Sequence, residues 1–183
     1  MPAWVWVIIA IAIVIVVALI AMSVARRRRL RSRFGPEYER AVDESGRRGG
    51  AAELRRREKR RRELNIVPLA PAARERYLQQ WQGVQARFVD KPSDAVREAD
   101  VLVTSVMRDR GYPMENFEQQ SSDISVDHPS VVQNYRAAHA ISMASDQEKA
   151  STEDLRQAMI HYRSLFDELL GDAQEPDTSQ RVG

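Results

Sequence analysis

From Ala3 to Ala25 the chain reads AWVWVIIAIAIVIVVALIAMSVA, twenty-three residues without a charge. No other stretch restricts the fold so strongly. In lipid a segment must satisfy its own backbone polar groups, and a single run does so only as a helix. At about 1.5 Å per residue it reaches roughly 34 Å, enough for a hydrocarbon core about 30 Å thick. Arg26, Arg27, Arg28, Arg29, Arg31 and Arg33 follow at once, whereas only Met1 and Pro2 precede the run. The positive-inside rule then sets the direction: amino terminus outside, everything after Ala25 in the cytoplasm, in a single-pass plasma-membrane protein. Trp4 and Trp6 suit the outer interface, where indole rings prefer to sit. Ser23-Val24-Ala25 has the form of a signal-peptide cleavage site. The segment before the run lacks Lys and Arg, the run is too long, and arginines follow the cut, so it reads as an uncleaved anchor. Ala21 and Ala25 form a small-xxx-small pair, the spacing that seats a helix homodimer, although alanine is common in such segments.

Charge divides the remainder. Residues 26–63 carry sixteen basic and seven acidic side chains, a balance of +9; residues 64–183 stand at −7. A basic neck thus carries an acidic body. The neck shows no apolar periodicity able to build a core. Phe34-Gly35-Pro36 should end the anchor helix, Glu37 to Ser45 should add a short helix, and Gly46, Gly49 and Gly50 should form a flexible joint. Ala51 to Leu64 reads as an exposed helix with Glu53–Arg57 and Glu58–Arg62 in the favourable i,i+4 order. The six arginines after the anchor are expected to contact anionic headgroups, since juxtamembrane basic residues are drawn to such a surface. Nucleic-acid attachment through the neck ranks below this, because no aromatic side chains interleave to stack on bases.

Residues 64–171 read as an all-α bundle of about four helices, with no strand-type alternation. Helix one runs from Pro71 to about Val89 on a stripe of Tyr77, Trp81, Val84 and Phe88, with Ala70 at its N-cap. Helix two is expected from Ser93, as its cap, to Arg110, with Gly111 as its stop. Tyr112 to Val126 reads as a long connection containing one short helix around Met114 to Gln120. Helix three is expected from Pro129 to Ala144. Ser151-Thr152-Glu153-Asp154 resembles a capping box that starts helix four, whose stripe includes Leu155, Met159, Tyr162, Leu165 and Phe166 and which Gly171 closes. Residues 172–183 read as a disordered tail.

The absence of cysteine excludes a disulfide framework, a thiolate metal site and a cysteine nucleophile. No Glu-x-x-His pair, H-E-x-x-H, G-x-S-x-G or glycine-rich phosphate motif occurs, so no cofactor or metal is expected. Asp127, His128, Tyr135, Arg136 and His139 are the one polar cluster to weigh. As a site they would form a small pocket for an anionic ligand or a proton transfer. As structure, Asp127 or His128 caps helix three, and Tyr135 and His139 lie at a core edge. The structural reading is preferred, because nothing supplies a nucleophile or a second convergent shell. Asp100, beside the helix-two stripe, is expected to pair with Arg136 or Arg163.

The segments FVDKPSDAVREADVLVTSVMRDRGYP, SVDHPSVVQNYRAAHAI and ASTEDLRQAMIHYRSLFDELL resemble a family of uncharacterised single-pass membrane proteins of actinobacteria. The resemblance covers Arg26 to Leu170. It implies an anchored α-helical cytoplasmic domain, and it carries over no activity and no functional residue. The expectation is a non-enzymatic protein-interaction or scaffold module at the membrane, with an unidentified protein as partner. The alternatives are a ligand-binding or enzymatic bundle using the Asp127–His139 cluster and, below that, nucleic-acid attachment.

Overall fold

The computed structural model describes the backbone of residues 3–171 and, within it, every side chain but those of residues 3, 5–10, 12, 26 and 27. Seven helices occupy the described residues: α1 (Ala3–Phe34), α2 (Pro36–Glu63), α3 (Pro71–Phe88), α4 (Pro92–Asp109), α5 (Phe117–Asp127), α6 (Val132–Asp146) and α7 (Thr152–Gly171). Among the described residues there is no strand. The expected all-α class is therefore what is found. Two compact units divide the chain between Arg56 and Arg57, inside α2.

The first unit holds α1 and most of α2. The uncharged run and the first arginines form one continuous helix, which Gly35 ends by turning to φ +47°. Among the described residues no helix is long and apolar enough to cross a membrane. The longest described block of side chains in the apolar run, residues 13–25, covers only about 20 Å of helix. Trp6, Arg26 and Arg27 lie outside the described side chains, as residues 1–2 and the tail at 172–183 lie outside the described backbone.

Contrary to expectation, the neck buries apolar side chains: Leu30, Phe34, Tyr38, Ala41, Ala51 and Leu54 are all enclosed. The first four recur at helical spacing, but Gly35 interrupts them and arginines surround them, which hides the stripe in the sequence. Gly46 kinks α2 with φ 68° and ψ 169°, a combination essentially confined to glycine. Gly50 is helical rather than a joint, and its role is steric. A Cβ there would stand 2.5 Å from the Ala41 carbonyl oxygen, so the two halves of α2 meet backbone to backbone.

The second unit is a bundle in which α4 packs on α3, α6 and α7, while α6 lies along α7 and α5 against α6. Trp81 stacks on Phe166 with ring centroids 4.7 Å apart, at the centre of a core that takes in Val103, Met107, Tyr162 and Leu165. Ala70 occupies the α3 N-cap without a side-chain bond, and Pro71 follows at the first helical position, as the sequence predicts. The Ser151 box also forms: Asp154 accepts from the Ser151 amide at 2.8 Å, and the Ser151 hydroxyl accepts from the Asp154 amide at 3.2 Å. At the end of α4, Tyr112 N–H reaches Met107 O and Gly111 N–H reaches Arg108 O, a Schellman closure with Gly111 at φ 96°. Only glycine fits there, since a Cβ would meet the Asn65 carbonyl oxygen at 2.4 Å.

Three boundaries differ from expectation. Helix α4 starts at Pro92 with Lys91 before it, so Ser93 is already inside the helix and does not cap it. The connection after Tyr112 holds a full helix, α5, capped by Asn116, whose side chain accepts from the Gln119 amide at 2.9 Å. Because α5 runs on to Asp127 and takes His128 as its C-cap, α6 begins only at Val132 rather than at Pro129.

Candidate functional site

The five residues of the polar cluster fall into two groups with different partners. Asp127 is the last residue of α5, not the cap of the next helix. Its Oδ2 accepts from the Tyr112 hydroxyl at 2.8 Å and from the Arg61 guanidinium. Burial and the adjacent Asp127 carboxylate push the Tyr112 hydroxyl up, so it stays protonated and donates. His128 is buried and its Nδ1 lies 3.4 Å from Glu168 on α7.

Tyr135, Arg136 and His139 lie on α6. The Tyr135 hydroxyl donates to Gln120 Oε1 at 3.1 Å, and its ring tilts against Phe117. Burial and then the charge of Asp100 hold Tyr135 well above the usual phenol range. His139 stacks on Phe117 with centroids 3.7 Å apart and rings 11° from parallel. Arg136 is half-buried. Asp100 accepts from the Tyr162 hydroxyl at 2.9 Å rather than pairing with Arg163, which binds Asp167, and His139 Nδ1 stands 3.8 Å away, beyond hydrogen-bond reach. Burial and then the charge of Asp100 raise the Tyr162 hydroxyl as well, so it stays protonated and donates.

These contacts hold α4, α5, α6 and α7 to one another. The surface clefts of about 650, 510, 340 and 280 Å³ are lined by other residues. Among the described residues no three of His, Asp and Glu converge as a metal site.

What the sequence does not reveal is the use of the last turns of α2. Arg57 donates to Ser125 Oγ at 3.3 Å, Arg60 to Asp123 at 3.1 Å and to Glu115 at 2.7 Å, and Arg61 to Asp127. The unit that contains α3 to α7 therefore begins at Arg57 rather than at Leu64. This end of the helix is docked, not free in solvent. Asp123 has no exposed side-chain surface, and desolvation raises its pKa although Gln119 and Arg60 act in the other direction. A signal existed: Arg57, Arg60 and Arg61 share one face at i, i+3, i+4, and Asp123 and Asp127 are also four apart. It is lost within a run where almost every position is basic. The carboxyl end of α7 is tied similarly, Arg110 reaching Leu169 O at 3.0 Å and Arg74 reaching Leu170 O at 3.2 Å. Cations at a helix C-terminus satisfy both its orphan carbonyls and its dipole.

Of the membrane-side candidates, Trp4 is 63% exposed, Arg28, Arg29 and Arg33 are exposed, and Arg31 pairs with Glu39 at 2.9 Å. An open apolar groove lies elsewhere, between α3 and α7. Its walls are Trp81, Phe88, Met159 and Ile160, with Arg156 and Arg163 along the rim and a volume of about 280 Å³. Arg163 sits 5.6 Å over the Trp81 ring. No family model, no curated protein and no solved structure matches the chain.

Proposed function

We propose that this chain is a single-pass membrane protein whose cytoplasmic helical domain holds a partner protein at the membrane. The groove between α3 and α7 carries this reading. It combines an exposed aliphatic edge at Ile160 with an aromatic floor and two arginines, and aromatic and arginine side chains dominate binding energy at protein interfaces. Both arginines are engaged with carboxylates of their own helix, Arg156 with Glu153 at 2.7 Å and Arg163 with Asp167 at 2.6 Å. Such exposed pairs are weak, so a partner can exchange for them at little cost. The occupant that fits is an amphipathic segment with an apolar face and flanking carboxylates.

The membrane part of the proposal is supported by the uncharged run from Ala3 to Ala25 and the arginines behind it. Large apolar side chains along α1 also lack protein cover: Ile13, Val14, Val17, Leu19 and Ile20 are each more than half exposed. A continuous apolar surface of that kind calls for a lipid or protein environment. An alkaline-phosphatase fusion after Gly183 should be inactive, and an active one refutes the orientation.

The partner is tested in the native membrane with a photo-crosslinking residue at Ile160 and another at Gln147 in the polar α6–α7 turn. A discrete protein adduct is expected at position 160, absent at 147, and weakened by Arg163→Glu. Equal labelling at both positions, or none at 160, refutes the groove as a docking surface.

A further inference from the structure

The kink at Gly46 has an effect on the membrane side of the molecule. It brings Arg47, Arg48, Ala51 and Arg55 to a cleft of about 340 Å³ that Leu19, Met22 and Ser23 of α1 also line. Ala51, 5% exposed, lines the same cleft. Gly50 permits the close approach of the preceding segment that fixes this fold of α2.

Three features distinguish the cleft from an ordinary solvated arginine run. First, no carboxylate lines it. Other arginines of the same unit are neutralised locally, Arg31 by Glu39, Arg40 by Glu44 and Arg56 by Glu53. Among the described residues the side chains of Arg47, Arg48 and Arg55 take part in no ion pair or hydrogen bond. Second, the opposite wall is apolar and belongs to the uncharged run. Third, the level suits a headgroup: Ser23 lies about 3 Å and Leu19 about 9 Å inside the Ala25 boundary, counted along the helix axis. Arginine stems cover that much apolar surface while the guanidinium stays at the interface.

We infer that Arg47, Arg48 and Arg55, together with Leu19 and Met22, bind an anionic phospholipid of the cytoplasmic leaflet whose headgroup carries two phosphates. The guanidiniums take the phosphates in paired hydrogen bonds, and an acyl chain lies against Leu19 and Met22. Guanidinium geometry matches phosphate oxygens. Three cations with no carboxylate beside them among the residues lining the cleft exceed what one phosphodiester neutralises, which favours the doubly charged headgroup. Nucleic acid would satisfy the arginines and leave the apolar wall without a partner. The inference rests on the reading of α1 as a membrane span, whose direction the fusion experiment above tests separately.

The test uses full-length protein in detergent, with native mass spectrometry to count bound lipid during titration with diphosphatidylglycerol, phosphatidylglycerol or phosphatidylcholine. Wild type should retain one diphosphatidylglycerol per chain in preference to the other two. The combined variant Arg47→Gln, Arg48→Gln, Arg55→Gln should bind it on the order of a hundredfold more weakly, as expected for three basic residues removed from an anionic surface. Arg40→Gln with Arg56→Gln, which removes the same kind of charge from paired positions, should bind like wild type. Circular dichroism of each variant checks that helix content is kept. Equal loss in both variants, phosphatidylglycerol bound as tightly as the diphosphate lipid, or displacement by a single-stranded oligonucleotide would each overturn the inference. Membrane integration with an unaltered triple variant would overturn the lipid site and leave the anchor standing.

Discussion

At the scale of single residues, two positions separate packing from electrostatics. Leu165 is fully buried on the α7 stripe, against the core built around Trp81 and Phe166. Leu165→Ala should cost about 2–5 kcal/mol through lost burial and a cavity, read from urea melts of a fragment spanning residues 57–171. A parent-like midpoint would mean that α7 is not packed as described. At the start of the same helix, hydrogen bonds from Arg156 and then Gln157 hold Glu153 down at about 2, and the Ser151 hydroxyl and amide lower Asp154. Depressed carboxylates stabilise the fold above their unfolded values and lose that contribution as pH falls through their folded ones. For Glu153 the loss therefore falls between about 4.5 and about 2. Ser151→Ala removes the hydroxyl that caps the helix, so Asp154 should titrate closer to 3.8, measured by carbon-detected NMR. An unchanged titration would show that the amide alone sets it.

At the scale of elements, helix ends decide more than helix centres. Ala70 leaves the first turn of α3 without a side-chain acceptor. Ala70→Ser should stabilise the 57–171 fragment by about 0.5–2 kcal/mol in thermal melts, and no gain would mean the hydroxyl does not reach the first-turn amides. In α2 the constraint is steric. Gly50→Ala places a methyl group against the Ala41 carbonyl at a distance that only backbone movement relieves. Spin labels at Asp43 and Ala52, both exposed, should report a longer separation in this variant than in its parent. The same separation in both would contradict the close contact.

At the scale of the whole molecule, the bundle is completed by residues that the charge pattern assigns to the neck. Fragments starting at Arg57 and at Leu64 differ in Arg60 and Arg61, hence in the cations facing Asp123 and Asp127. The shorter fragment leaves Asp123 buried beside Glu115 without its guanidinium. It should be less stable by about 1–3 kcal/mol, a figure reduced for the partial exposure of Arg60. Added salt should narrow the gap only slightly, because a buried carboxylate is poorly screened. Equal stability of the two fragments would show that the end of α2 rests on the body without supporting it.

The sequence by itself determined the elements whose causes are local. The long uncharged run, Pro71 at the start of α3, Gly111 at the end of α4 and the Ser151–Asp154 box each act within a few residues, so their outcome is written in neighbouring side chains. Asn116 is local too, yet α5 was obscured because its inward face is polar: Ser121, Asp123 and Ser125 are buried there. Ser125 and Asp123 are met there by Arg57 and Arg60, more than sixty residues away in the chain. Tertiary structure alone decided which arginines of the neck pair with the body, which lie beside the apolar run, and that Asp100 takes Tyr162. Identical guanidiniums in one run are interchangeable by composition. Only the kink at Gly46 and the packing of α5 give them different neighbours.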